Sequence, residues 1–214
     1  MIRDICDRHN ILMIVDEVVT GFGRLGEGFA SEDVFGIEPD ILICAKGITS
    51  GYQPLGATIF SDQIWDVISA EGHGRVFASG YTYSGHPVAC AAALKNIELM
   101  DREGVLAHVR DVGPYFMQQL ATLADLPVVG DVRGHHLMAC VEFVADRKTK
   151  ERFPDELDIG RMVSRHADEA GLIVRPIVHL NVMSPPLIIS RDEIDTIVSK
   201  LRDSIVAAMA DLDL

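Results

Sequence analysis

The sequence predicts an α/β fold followed by a smaller α+β unit, on three observations. Residues 11–15 and 41–45 are short, unbroken apolar runs rich in β-branched side chains, the composition of strands buried on both faces of a helix-covered sheet. Several longer stretches repeat apolar residues at helical spacing. Beyond residue 100 the pattern changes to short strands set between amphipathic helices. The change falls at Asp101-Arg102-Glu103-Gly104, so the chain divides into residues 1–102 and 103–214.

In order along the chain, residues 2–8 read as the end of a helix and 11–15 as the first strand. A Gly-rich loop follows, Gly21-Phe22-Gly23-Arg24-Leu25-Gly26-Glu27-Gly28. Pro39-Asp40 opens the strand at 41–45, and 55–60 makes a third. Asp62 suits the N-cap of a helix running to residue 68. Residues 71–86, rich in Gly, Ser, Tyr and His, form a loop long enough to suggest function. Pro87 suits a first helical turn, and 88–100 is small and apolar on most faces, as in a buried helix.

Val105, Val109, Val112, Phe116, Leu120 and Leu123 recur at helical spacing, and Pro114 is expected to kink or restart that helix. Strands are expected around 128–132 and 137–144, then a polar, solvated insertion at 146–156. Ile159, Met162, Val163, Ala167 and Ala170 mark the next helix. Residues 172–175 and 187–189 are strand-like, with Pro185-Pro186 at an edge or turn between them. Ile194, Ile197, Val198, Leu201, Ile205 and Met209 give the last helix its apolar stripe.

Composition narrows the function. With 48% hydrophobic and 24% charged residues, the 214-residue chain is of ordinary globular type rather than disordered. Against 32 Asp+Glu stand 19 Lys+Arg, and a net charge of −13 with no basic cluster argues against nucleic acid. The longest apolar stretch, 88–94, is far short of the roughly 18 residues a membrane span needs. Residues after Met1 lack the apolar core of a signal peptide. The four cysteines form no CxxC pair, which reads as reduced thiols in the cytoplasm.

Two residues stand out chemically. Asp16 and Lys46 each follow an apolar strand, at the carboxyl end where open α/β sheets place ligands. Two such groups are costly to desolvate unless they pair with each other or with a ligand. From those residues alone a strand-end ion pair and a ligand site stand about even. His135-His136 lacks further ligands at metal spacing and reads as a turn into a strand; His73, His86, His166 and His179 show no metal pattern either.

Four blocks in order tip the balance. Asp16-Glu17-Val18-Val19-Thr20-Gly21-Phe22-Gly23-Arg24 resembles a signature of the class III, pyridoxal-phosphate-dependent aminotransferases. So does Ala45-Lys46-Gly47-Ile48-Thr49-Ser50-Gly51-Tyr52, with Pro54-Leu55-Gly56-Ala57 after it. Gly80-Tyr81-Thr82-Tyr83-Ser84-Gly85-His86-Pro87 looks like that family's phosphate loop. Gly171-Leu172-Ile173-Val174-Arg175-Pro176, with Ser184-Pro185-Pro186-Leu187 beyond, is similar to its substrate segment. The match covers nearly the whole chain and corresponds to the second half of a family member, so the chain is expected to be incomplete for activity alone.

The resemblance implies the fold of the pyridoxal-phosphate-dependent transferases (aspartate aminotransferase type I). Residues 1–102 would be the C-terminal part of the large cofactor-binding domain, and 103–214 the small C-terminal domain. It implies pyridoxal 5′-phosphate as cofactor, Lys46 as the Schiff-base lysine and proton shuttle, and Asp16 as partner of the ring nitrogen. Val18 would pack on the ring and Thr82 donate to the phosphate of the neighbouring subunit, giving a homodimer or higher homo-oligomer. Arg175 would bind a substrate carboxylate. Partners would be an amine donor and a keto-acid acceptor. Val19, where ornithine-type members commonly carry Gln, points to ω-amines or simple amines with pyruvate as acceptor. An aminomutase or racemase of the same fold, or a catalytically incomplete fragment, are the rival readings. A surface ion pair with Glu169 is the plain alternative for Arg175.

Overall fold

The computed structural model describes residues 1–72, 74 and 76–214, so His73, one of the histidines with no metal pattern, lies outside the described residues. The chain folds as two compact units, residues 1–23 with 27–106, and residues 24–26 with 107–214. No helix among the described residues is long and apolar enough to cross a membrane.

The first unit opens with α1 (Ile2–Arg8) and β1 (Ile14–Asp16). Asp40 ties the two together: it accepts from the Met13 amide at 2.6 Å and pairs with Arg3 at 2.7 Å. Those contacts hold its carboxyl below the usual range, the Met13 amide more than the arginine. After the short α2 (Ala30–Asp33) come β2 (Ile41–Cys44) and β3 (Ala57–Phe60). β1 runs parallel to β2, with Asp16 opposite Ile43, and β3 runs antiparallel to β2, giving the order β1-β2-β3. α3 (Asp62–Ser69) and α4 (Pro87–Arg102) complete the unit. Ser61, not Asp62, occupies the N-cap of α3, and it makes no side-chain capping bond. Pro87 is the first residue of α4, where its missing N–H costs nothing.

Burial departs from expectation at two places. β1 is an edge strand whose Ile14 is 58% exposed, because the helices of this chain leave one of its faces uncovered. On α4 only Ala89 and Ala93 are fully buried, with Cys90, Ala92, Asn96, Leu99 and Met100 half-buried. Val88 and Leu94, on its other faces, stay exposed. The core itself is small: Leu42, Cys44, Ile48 and Ala93, with Phe22, Phe29, Leu55 and Ala57 packed against it. Through Ile48 the turn after β2 is rooted in this core.

The second unit is built on α5 (Val105–Ala121), whose first turn contains the division between units. All six residues of its expected stripe are buried. Pro114 sits inside α5 on an exposed position without ending it, because packing of the apolar stripe on both sides outweighs the one hydrogen bond lost. β4 (Val129–His135) and β5 (Met138–Phe143) form a hairpin, with His136 in the left-handed region at its turn. α6 (Ile159–Glu169) buries Ile159, Val163 and Ala167. β6 (Arg175–Ile177) and β7 (Leu180–Met183) form a second hairpin, giving the sheet order β4-β5-β7-β6.

β6 thus begins at Arg175, where the strand at 172–175 was expected to end. Residues 187–189 form a turn rather than a strand. β7 is not expected from the sequence, because polar Asn181 interrupts its apolar pattern. Asn181 is fully buried and donates to the Gly160 carbonyl at 2.9 Å. The last helix, α7 (Arg191–Asp211), starts with a capping box in which Ser190 and Glu193 exchange hydrogen bonds.

Candidate active site

The parallel pairing of β1 and β2 sends two chain segments out of the same end of the sheet, the carboxyl end of both strands. Asp16 is the last residue of β1, and the ladder continues one step further through Glu17 N donating to Ile43 O at 2.8 Å. Lys46 lies two residues beyond β2 and opens a 3-10 turn, Lys46–Thr49. Its φ of +46° lies in the left-handed region that an L-residue enters only when its surroundings impose it. Such strain collects at functional sites.

Asp16 and Lys46 are both exposed. Among the described residues the Lys46 amine has no hydrogen-bond or ion-pair partner, so the strand-end ion pair is not formed. Asp16 Oδ1 accepts from the Val18 amide at 2.8 Å, which leaves Oδ2 available. Val18 is half-buried beside it.

Strand alternation buries Glu17 between these two residues, at 1% exposure. Its carboxylate accepts from Thr20 Oγ1 at 2.6 Å and from the Ser31 amide at 2.5 Å. Burial pushes its pKa up, but the bonds from Thr20, Ala30 and Ser31 together outweigh that and hold it below the ordinary value. The Gly-rich loop is thereby closed at its root. It is closed again by Phe22 N to Gly28 O at 2.7 Å and Gly23 N to Glu27 O at 2.9 Å.

Phe22, itself at φ +58°, packs edge-on against Phe29 with ring centroids 5.4 Å apart and covers Gly47. A β-carbon on Gly47 would lie 2.7 Å from Phe22 Cβ, so only glycine lets the loop after β1 rest on the turn after β2. Asp16, Val18 and Lys46 are in this way brought to the carboxyl end of the two parallel strands.

Sequence reasoning missed a further residue at this turn. Asn96 of α4 donates to the Gly47 carbonyl at 2.9 Å and the Ile48 carbonyl at 3.2 Å, and accepts from Ser50 Oγ at 2.6 Å. The available signal was an amide in the middle of a helix, where its propensity is poor.

Thr82 stands in an exposed turn over residues 82–85, and no partner for its hydroxyl is present among the described residues. The turn is braced by Tyr81 N donating to Ser84 Oγ at 2.9 Å.

In the second unit Arg175 is exposed and pairs across the sheet with Val182. It has no ion pair among the described residues; Glu169 lies instead 3.9 Å from His166. The other arginine of interest, Arg24, is half-buried in this unit, and burial pushes its pKa down. It donates to the Leu137 carbonyl at 3.1 Å and to the Pro185 carbonyl just after β7.

The chain resembles known proteins over nearly its full length. The family profile described as Aminotransferase class-III matches residues 1–205. The chain is 41% identical over 202 residues to the putrescine–pyruvate aminotransferase of Pseudomonas aeruginosa, covering 94% of this chain and 43% of that protein. A solved (S)-enantioselective omega-transaminase from Thermomicrobium roseum is 43% identical with a TM-score of 0.86, over 98% of this chain and 45% of that one. An amine transaminase from an uncultivated Pseudomonas species, solved in a PLP-bound form, is 42% identical with a TM-score of 0.88, over 98% and 47%. The chain spans about half the length of the curated relatives it matches. With the mixed α/β fold it shares with these transaminases and a profile match over nearly all its residues, the chain belongs to the class-III aminotransferases.

Proposed function

We propose that the protein carrying this chain is a pyridoxal-phosphate-dependent transaminase that moves an amino group from a primary amine or ω-amino acid to a keto acid such as pyruvate. The observation that carries this reading is a pair of groups without partners among the described residues, at the carboxyl end of the parallel strands: the Lys46 amine and the second oxygen of Asp16. With Val18 beside them, this donor set fits the cofactor: an amine for its aldehyde carbon, a carboxylate for its protonated ring nitrogen and an apolar side chain for its ring. When bound, pyridoxal phosphate supplies an electron sink for the carbon that bears the amino group.

The chain's own residues supply binding and proton movement. Lys46 would hold the cofactor covalently and, once released, carry the proton taken from the substrate carbon on its Nζ. Asp16 would accept the ring N–H and keep that proton in place. Thr82 would donate its hydroxyl to a phosphate oxygen of the neighbouring subunit's cofactor, so the working unit is at least a dimer. The exposed Phe77, Tyr81 and Tyr83 on that loop support an interface there, since aromatic surface of this kind favours burial. Arg175, exposed and without an ion pair among the described residues, would fork onto a substrate carboxylate.

In this reading residues 1–102 belong to the cofactor-bearing domain and 103–214 to the small domain. The four unpaired cysteines agree with a cytoplasmic setting. A relative named for putrescine and pyruvate, and a neighbour named as an omega-transaminase, support the choice of amine and acceptor.

The test uses the protein at its natural length. Incubation with pyridoxal phosphate, borohydride reduction and peptide mass spectrometry should leave a pyridoxyl group on Lys46, and putrescine with pyruvate should yield alanine. Lys46→Ala should do neither while keeping its fold. A pyridoxyl group on another lysine, or alanine formation by Lys46→Ala, would overturn the reading.

A further inference from the structure

We propose that Asn96 is a positioning residue for Lys46: its side-chain amide holds the turn from which the Lys46 amine is presented. The inference rests on the reading of Lys46 as the cofactor-capturing amine. The turn is bracketed by two residues in the left-handed region, Lys46 at φ +46° and Ser50 at φ +49°. L-residues avoid that region, so the turn persists only because its surroundings over-determine it.

Three of those surroundings hold the turn's body. Ile48 is rooted in the core, Gly47 lies under Phe22, and Thr49 Oγ1 donates to Gln53 O at 2.6 Å. Apolar packing resists displacement but does not fix the rotation of individual peptide planes. Asn96 does fix them. Its two amide hydrogens reach the carbonyls of Gly47 and Ile48, the two residues directly after Lys46, and its oxygen receives the Ser50 hydroxyl.

The orientation of the amide is determined by its partners. Reversed, it would turn its oxygen on two carbonyl oxygens. A weaker contact from Nδ2 to Met100 Sδ at 3.6 Å adds little. With the two peptide planes that follow the Lys46–Gly47 peptide held on Asn96, the chain into which the left-handed Lys46 leads is fixed against α4. The Lys46 side chain itself makes no polar contact among the described residues, so the direction in which it leaves the chain is set through this backbone.

The experiment compares covalent and non-covalent binding in cofactor-stripped protein of natural length. Covalent capture of pyridoxal phosphate is followed by absorbance and by borohydride trapping on Lys46. Non-covalent affinity is measured with pyridoxine 5′-phosphate, which lacks the aldehyde. Asn96→Ala should slow capture about tenfold, the scale of one or two hydrogen bonds holding a reactive geometry. Asn96→Asp, which sets a carboxylate against two carbonyls, should slow it further. Exposed Ser50→Ala, which carries little folding risk, should slow it roughly threefold by freeing the amide's oxygen. Pyridoxine phosphate affinity should stay within about twofold in all three.

Capture at the wild-type rate in Asn96→Ala and Ser50→Ala, or an equal loss of pyridoxine phosphate affinity, would overturn the positioning role and leave the assignment of Lys46 standing. Failure of the wild-type protein to form any adduct on Lys46 would overturn that assignment and the inference with it.

Discussion

Glu17→Ala should remove a sizeable part of the first unit's margin of stability. The Glu17 carboxylate is 1% exposed and accepts from Thr20 Oγ1 and from the amide of Ser31. Thr20 is half-buried and can turn its hydroxyl to water, but Ser31 is 2% exposed. Removing the acceptor therefore strands the buried Ser31 N–H. The loss is about 1–3 kcal/mol, a sizeable share of a domain's net stability. Glu17→Gln keeps the shape and one oxygen but turns an NH₂ toward one donor, for about 1–3 kcal/mol.

The pH dependence follows from the direction of the pKa shift. Glu17 is held below the ordinary 4.5, so its contribution is fully present above that value and is lost as pH falls through the folded-state pKa. The stability gap between wild type and Glu17→Gln should accordingly narrow once the pH drops below 4.5. Urea unfolding followed by fluorescence is a suitable assay, because Trp65, the one tryptophan, lies on α3 in the same unit. Glu17→Ala within about 0.5 kcal/mol of wild type, or a Gln gap unchanged by acid, would refute the reasoning.

Gly47→Ala should destabilise the first unit by about 1–3 kcal/mol, because its β-carbon would meet Phe22 Cβ at 2.7 Å; Phe22→Gly in the same chain, which removes that Cβ at a position with φ +58°, should recover part of the loss in the urea assay, whereas Phe22→Ala, which keeps it, should not. Arg175→Ala should raise the KM for pyruvate roughly ten- to a hundredfold, the worth of a charge-assisted pair, while an amine lacking a carboxylate reacts as before. Equal losses in both half-reactions, measured by single-turnover absorbance, would assign Arg175 a structural role. Asp16→Asn should still bind pyridoxal phosphate yet lose most of its transamination rate, since a neutral amide does not hold a proton on the ring nitrogen; a retained rate would move that role to another residue.

Local periodicity was enough for much of this protein. The stripes of α5 and α7 and the apolar run of β2 were legible because a repeat of 3.6 residues, or a short unbroken run, names the element by itself. The motifs around Asp16, Lys46, Thr82 and Arg175 pointed to one family for the same reason: each is contiguous in the chain. What lies on the far side of an element is not written in its own period. The open face of β1 and the partial burial of α4 depend on which other segments arrive to cover them. β7 was hidden because Asn181, polar in the sequence, finds its partner in Gly160 of α6 only once the hairpin packs there. Pro114 could stay inside α5 because tertiary burial of the stripe outweighed one lost bond. The clamp on the Lys46 turn is the extreme case, since Asn96 and Ser50 are 46 residues apart. A hydrogen bond across that separation leaves no local trace, and only the packing of α4 against the turn brings its donor and acceptor together.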